Sequence, residues 1–344
     1  MPRRAVVLLV SGVLTFVLAA ACLFIPVPYA AIAPGPTFNA LGNDPAGKPI
    51  VSIEGHQTFT TTGQLRLVTI QAYGKPDRLV IGDIVRDWLD PSVAVVPIND
   101  VFPDTKSTQE QDAEGARQMK QSQLEAKTAA LSALHIAVIV TVAGTQKGFA
   151  ADGVLKLGDE IVSVDGAPIP SVAALTTAIG KHKPGEDASI TYRRGGQETT
   201  VALRTSASTD DPKRPLIGIT PDVKLPFTVE IQLPNVGGPS AGLMFSLAIY
   251  DKLSDGKVAG DRTIAGTGTI DANGTVGPIG GIQQKVYAAR HDGATVFLVP
   301  HQNCGDIHNV PAGLELVDVT SFDDALADLA TLRSGGRPAG CVSS

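Results

Sequence analysis

Cysteine is nearly absent, at 3 of 344 residues, which excludes a scaffold built from disulfides. Aromatics are scarce as well, with 10 Phe, 5 Tyr and 1 Trp, so the cores must be built from Val, Ile, Leu and Ala. Positive charge is in short supply: 28 Lys and Arg face 34 Asp and Glu, a formal charge of −6. No block of Lys and Arg appears, so the basic footprint of a nucleic-acid binder is missing. Charged residues make up 18% and hydrophobic ones 43%, which excludes wholesale disorder. No period of roughly 20–50 residues recurs, against a solenoid. At about 150 residues per domain, the length allows roughly two domains plus extras.

What is present begins at the N-terminus. Arg3 and Arg4 precede an uncharged run of 21 residues from Ala5 to Ile25, and a crossing helix needs about 20. Pro26 and Pro28 end it. Length and flanks favour a retained single-pass anchor over cleavage after Ala31-Ile32-Ala33 or lipidation at Cys22. The paired arginines keep the N-terminus cytoplasmic, so the chain after residue 30 is expected outside the cell membrane.

Further along, GQLRLVTIQAY reads as a strand, LVIGDIVRDWL as a helix and VAVVPI as another strand. Ser107 to Leu134 is polar and Pro-free with one glycine, Gly115; it reads as a connecting helix. A strand from Ile136 to Val142 precedes Leu157-Gly158-Asp159-Glu160-Ile161. A short helix, Val172 to Ile179, and a hairpin about Gly195-Gly196 follow. SASTDDPKRP, residues 206–215, reads as a linker.

The stretch Leu155 to Gly166, LKLGDEIVSVDG, carries L-x-x-GDxIxxVxG, and with its flanks resembles a bacterial PDZ domain. That resemblance implies peptide capture on a free strand edge. It places the groove at Leu134, His135, Ile136 and Val138, facing the Val172 to Ile179 helix. His135 stands where such loops usually carry Gly, which leaves an internal or extended peptide as an alternative to carboxylate capture. A packing module without a free ligand is the bland alternative.

The chemistry lies nearer the C-terminus. Gly238-Pro239-Ser240-Ala241-Gly242 leads into LMFSLAIYDKL, apolar on all sides and so a buried helix. Ser240 stands at its mouth, either as a nucleophile or as a plain N-cap. On the later segment IQQKVYAARHDG, Lys285 has Gly281, Ile282, Ala288 and Ala289 as helical neighbours, a small apolar face where burial disfavours its charge. A neutral lysine there is a base for a serine.

GGPSAG followed 45 residues later by the lysine of GPIGGIQQK resembles the proteolytic domain of Lon proteases, over about 216–332. With the anchor and the PDZ segment, the chain is similar to membrane-anchored, PDZ-containing Lon-like proteases. The resemblance implies Ser240 as nucleophile and Lys285 as base, with Thr267 supporting the amine and Gly238, Pro239 and Ala241 framing the serine. Two positions depart from Lon: Gly237 replaces an acidic residue, and Thr269 a glutamate. No Gly-x4-Gly-Lys-Ser/Thr loop is present, so no ATP is expected. Nor is any other cofactor or metal.

The expected organisation is α+β and multidomain: cytoplasmic stub 1–4, transmembrane helix 5–26, extracytoplasmic α/β region with connecting helix 27–115, PDZ domain 116–205, linker 206–215, Lon-type proteolytic domain 216–335 and tail 336–344. The expected function is ATP-independent cleavage of extracytoplasmic peptides or unfolded segments presented by the PDZ domain, with a homo-oligomer in view. Two alternatives stay open: a silent peptide-binding scaffold, or an α/β-hydrolase-like esterase using GxSxG with His291, His301 or His308. Cys304 and Cys341 form a candidate disulfide; His301, Cys304 and His308 match no standard zinc spacing.

Overall fold

The computed structural model describes residues 3–75, 78–103, 105, 107–208, 211–233 and 236–341; side chains of 3–9, 19 and 108 are outside the description. Helix α1 (Arg3–Cys22) opens the chain. Strands β1 (Tyr29–Asn39), β2 (Val51–Glu54) and β3 (Gln64–Tyr73) follow, then α2 (Ile81–Trp88), β4 (Ala94–Pro97) and the single turn α3 (Ile98–Val101). The long helix is α4 (Thr108–Ala133). Beyond it come β5 (Ile139–Thr145), β6 (Glu160–Val164), β7 (Ala167–Pro168), α5 (Val172–Gly180) and the hairpin β8 (Asp187–Arg194) and β9 (Gln197–Arg204). Short strands β10 (Ser206–Ala207) and β11 (Pro215–Leu216) lead to β12 (Ile219–Lys224) and β13 (Thr228–Ile231). The remainder holds α6 (Gly242–Leu253), β14 (Thr263–Gly266), β15 (Thr269–Ile270), β16 (Val276–Gly277), α7 (Ile282–His291), β17 (Val296–Pro300), β18 (Glu315–Val319) and α8 (Phe322–Arg333).

Among the described residues no helix is long and apolar enough to cross a membrane. The backbone of α1 runs 20 residues, but its described side chains begin at Val10. The first part of the expected Ala5–Ile25 span therefore lies outside the description.

The main sheet has the order β18-β17-β14-β3-β1-β4. β14 is parallel to both β17 and β3, whereas β1 is antiparallel to β3 and β4. Every residue of β17 is buried, as a parallel strand covered on both faces must be. Its side chains alternate with the pleat. Val296 and Leu298 join the core under α4, α6 and α8, and Phe297 and Val299 join the core under α7.

The sequence places residues 27–115 and 216–335 in separate units, but the packing does not separate them. β1, β3 and β4 complete a sheet with β14, β17 and β18, and Leu67 lies beside Gly266, about 200 residues further along. The family-like module is inserted between these halves.

α4 is likewise more than a connector. Ser107 and Glu110 cap it reciprocally, Glu110 N–H to Ser107 Oγ at 3.2 Å and Ser107 N–H to Glu110 Oε2 at 2.8 Å. Gly115, Met119, Ser122, Ala126 and Ala129 recur at helical spacing, and Met119, Ser122, Ala126 and Ala129 are buried against the main core.

The inserted module has its own core around Val140, Ile161, Leu175 and Ile190. Its sheet order is β12-β5-β6-β8-β9. Asp159, buried, receives Arg194 through Nε and Nη2, both at 2.6 Å. That fork, a geometry favourable to Arg–carboxylate pairing, ties the Gly158-Asp159 turn to the closing hairpin.

The expected free edge of β5 is not free. β12 pairs with it antiparallel from Thr145–Ile219 to Ile139–Lys224. Ile217 is buried and Ile219 packs in the module core, so the chain's own segment satisfies the edge, with a cavity of about 490 Å³ between it and α5. Leu134, Ile136 and Val138 face the main core instead of a peptide groove. His135 turns the chain out of α4 with a φ of 56°.

Candidate active site

A cleft of about 710 Å³ opens between β3, the loop before α6 and the start of α7. Ser240 and Lys285 both line it, as do Thr69, Ile70 and Gln71 of β3. The sequence reading missed the β3 contribution, because nothing local in LVTIQ marks it as a cleft wall.

The loop carrying Ser240 is held from behind by α4. The Gly238 N–H donates to the Gly115 carbonyl at 3.0 Å, and the buried Ser122 hydroxyl donates to the Pro239 carbonyl at 2.9 Å. Gly238 has a φ of 87°, a conformation that glycine adopts without steric cost. A Cβ on Gly237 would lie 3.3 Å from the Gly115 Cα, a close approach of the loop to α4 that a larger residue would have to push apart. The signal for α4 was available in the sequence as the small-residue stripe from Gly115 through Ser122 to Ala126.

Ala241, not Ser240, is the N-cap of α6. The Ser240 hydroxyl has no hydrogen-bond partner among the described residues, and the side chain is half-buried on the cleft. Its carbonyl is fixed instead, accepting from the Gly268 N–H and the Thr267 Oγ1, each at 2.9 Å. The plain-cap reading of Ser240 therefore fails.

Lys285 sits one turn into α7, which begins at Gly281 in the left-handed region (φ 68°). The side chain is 3% exposed. Its Nζ donates to Thr267 Oγ1 at 3.2 Å. Among the described residues no carboxylate lies within salt-bridge distance. Burial alone pushes its pKa down to about 8, which corresponds to about 3 kcal/mol against the charged form. The structure thus brings Ser240, Thr267, Lys285, Gly238, Pro239 and Ala241 together; Thr267 holds the amine against the serine's own backbone.

None of the described residues lining the cleft is a histidine. His291 pairs with Asp292 and His301 with Asp318, both largely exposed, and the His308 backbone docks on Gln283. Among the described residues no histidine is brought to Ser240 as the esterase reading requires. Cys304 and Cys341 are disulfide-bonded, with Cα atoms 5.2 Å apart, and among the described residues no cluster of His, Cys, Asp and Glu is placed for a metal.

Residues 213–331 match the family model of the Lon protease (S16) C-terminal proteolytic domain, and residues 114–205 match that of the PDZ domain. Lon protease 2 of Bacillus subtilis is 33% identical over 106 residues, covering 30% of this chain and 19% of that protein. Lon protease 1 of Sorangium cellulosum is 43% identical over 101 residues, 28% of this chain and 12% of its own length. The chain thus spans about a fifth or less of these relatives. Among solved structures, the PDZ domain of an SdrC-like protein from Listeria monocytogenes is 28% identical, covers 24% of this chain and 85% of that one, and gives a TM-score of 0.22. The chain carries a Lon-type serine peptidase domain and a PDZ domain. The structure adds that the sheet of the former includes strands that precede the latter.

Proposed function

We propose that the protein is an ATP-independent serine endopeptidase using Ser240 and Lys285 as a dyad. The observation that carries this is a buried amine, with no carboxylate partner among the described residues, on the same cleft as a serine that is not an N-cap. Neutral Lys285 accepts the Ser240 proton as Oγ attacks the scissile carbonyl carbon. The resulting ammonium returns that proton to the leaving amine as the C–N bond breaks, and water then hydrolyses the acyl ester by the reverse relay. The N–H groups of Gly242 and Leu243 are taken by Pro239 and Gly268, so the backbone N–H groups of Ser240 and Ala241, which have no acceptor among the described residues, are the donors for the developing oxyanion. Thr267 holds the Lys285 amine on the cleft that Ser240 also lines.

The substrates that fit this reading are peptides, loops or unfolded segments. α1 anchors the chain, and Arg3 and Arg4 keep its N-terminus cytoplasmic. The catalytic domain then works outside the membrane, where a Cys304–Cys341 bond persists. The PDZ domain presents substrate only after β12 has left β5.

A fluorophosphonate probe tests the nucleophile: labelling is expected in the wild type and absent from Ser240→Ala, and equal labelling of both would sink the dyad. Topology is read separately. Protease added outside intact protoplasts should digest the chain beyond residue 30, and a fully protected C-terminal domain would refute the placement.

A further inference from the structure

Helix α2 carries the sole tryptophan of the chain, Trp88, and it points to solvent with 71% of its surface exposed. Leu89, the residue that caps the helix, is 81% exposed, and Val85 one turn earlier is exposed as well. Positions 85, 88 and 89 share one helical face, while Ile84 turns inward and is buried. A face of this kind on a surface helix needs a partner.

The backbone shows what lies beside it. The first turn of α2 is bound to the end of α1: the Gly82 N–H donates to the Leu23 carbonyl at 2.8 Å, the Ile81 N–H to Ile25 at 3.0 Å, and the Val27 N–H to Leu79 at 2.9 Å. Leu23, Phe24 and Ile25 are themselves exposed. The apolar face of α2 thus continues the apolar exit of α1. Its charges are paired locally, Arg86 with Asp87 at 2.8 Å and with Asp83 at 3.6 Å, so no strong field of either sign repels or demands a particular headgroup.

We infer that α2 is a membrane-contact helix: Val85, Trp88 and Leu89 lie in the interface of the bilayer that holds α1. The inference rests on the reading of α1 as an anchor. Tryptophan suits this depth, since its ring is apolar and its indole N–H finds water or headgroup oxygen. An amphipathic helix lying in the interface buries its apolar face just below the headgroups. With α1 crossing and α2 lying flat, the catalytic domain is held at two points, which fixes its orientation to the membrane surface.

Because Trp88 is the only tryptophan, its emission reports on this face alone. The full chain is reconstituted into phosphatidylcholine vesicles with and without bromine on the acyl chains, and recovered by flotation. Floating protein should lose at least half of its tryptophan emission in brominated vesicles. Bromine near the headgroup should quench more than bromine deep in the chains, and added salt should leave the quenching unchanged. The double variant Val85→Asp/Leu89→Asp should float equally well but lose the quenching. Flotation without quenching of the wild type would overturn the contact while leaving the anchor standing. Failure to float would overturn the anchor and the contact together.

Discussion

In the proposed dyad the chemistry rests on one buried amine, Lys285, and its titration makes that proposal testable. The neutral form is the base, so kcat/KM should rise with pH through about 8 and level off above it. The stability sign follows from the same shift. The folded state binds the proton less tightly than the unfolded chain, so a penalty present below about 8 is relieved as pH rises towards lysine's ordinary 10.5. Lys285→Met should therefore be inactive yet melt higher than the wild type at pH 7, by calorimetry. Lys285→Arg should also be inactive, because guanidinium does not release its proton near neutrality. Ser122 offers a finer test. Ser122→Ala leaves the Pro239 carbonyl without its donor, a loss of about 1 kcal/mol; kcat should fall several-fold with KM nearly constant, as steady-state kinetics would show. The serine and the lysine stand out in the sequence through their small neighbours, whereas Thr267 is marked only by the resemblance to Lon proteases. Ser122 was not, because its role exists only where α4 meets a loop more than a hundred residues later.

Among the elements, β12 changes the meaning of the PDZ domain. Its pattern, ITPDVK, has a proline and an aspartate and lies in the stretch 216–335 that the sequence assigns to the proteolytic domain; only pairing with β5 reveals it as a strand of the inserted module. Most other elements were recoverable, because periodicity and caps are local: Ser107 to Ala133 as one helix, Gln64 to Tyr73 as a strand. If presentation requires β12 to leave, locking it should separate the two kinds of substrate. Cysteines at the cross-strand partners Thr141 and Asp222 form the lock. Oxidised Thr141→Cys/Asp222→Cys should cleave a short peptide at the wild-type rate but degrade unfolded casein more slowly, with dithiothreitol abolishing the difference. Identical casein cleavage in both redox states would show that β12 never needs to move.

For the molecule as a whole, the matched segment 213–331 is not the folding unit. It lacks β1, β3 and β4, whose loss would expose the edge of β14 and remove one wall of the cleft. A fragment of residues 206–341 should be insoluble or inactive, and co-expression with residues 27–133 should recover soluble peptidase activity. Recovery from the fragment alone would contradict the shared sheet. This was illegible in the sequence because strand partners so far apart leave no local trace. The same separation sets a timetable for synthesis. At about 5–20 residues per second, β3 waits some 10–40 s for β14 to emerge, while the inserted module, whose core is drawn from one contiguous stretch, is completed in between. The cleft comes into being only after the last strands arrive, so a nascent chain has nothing with which to cut itself or its neighbours.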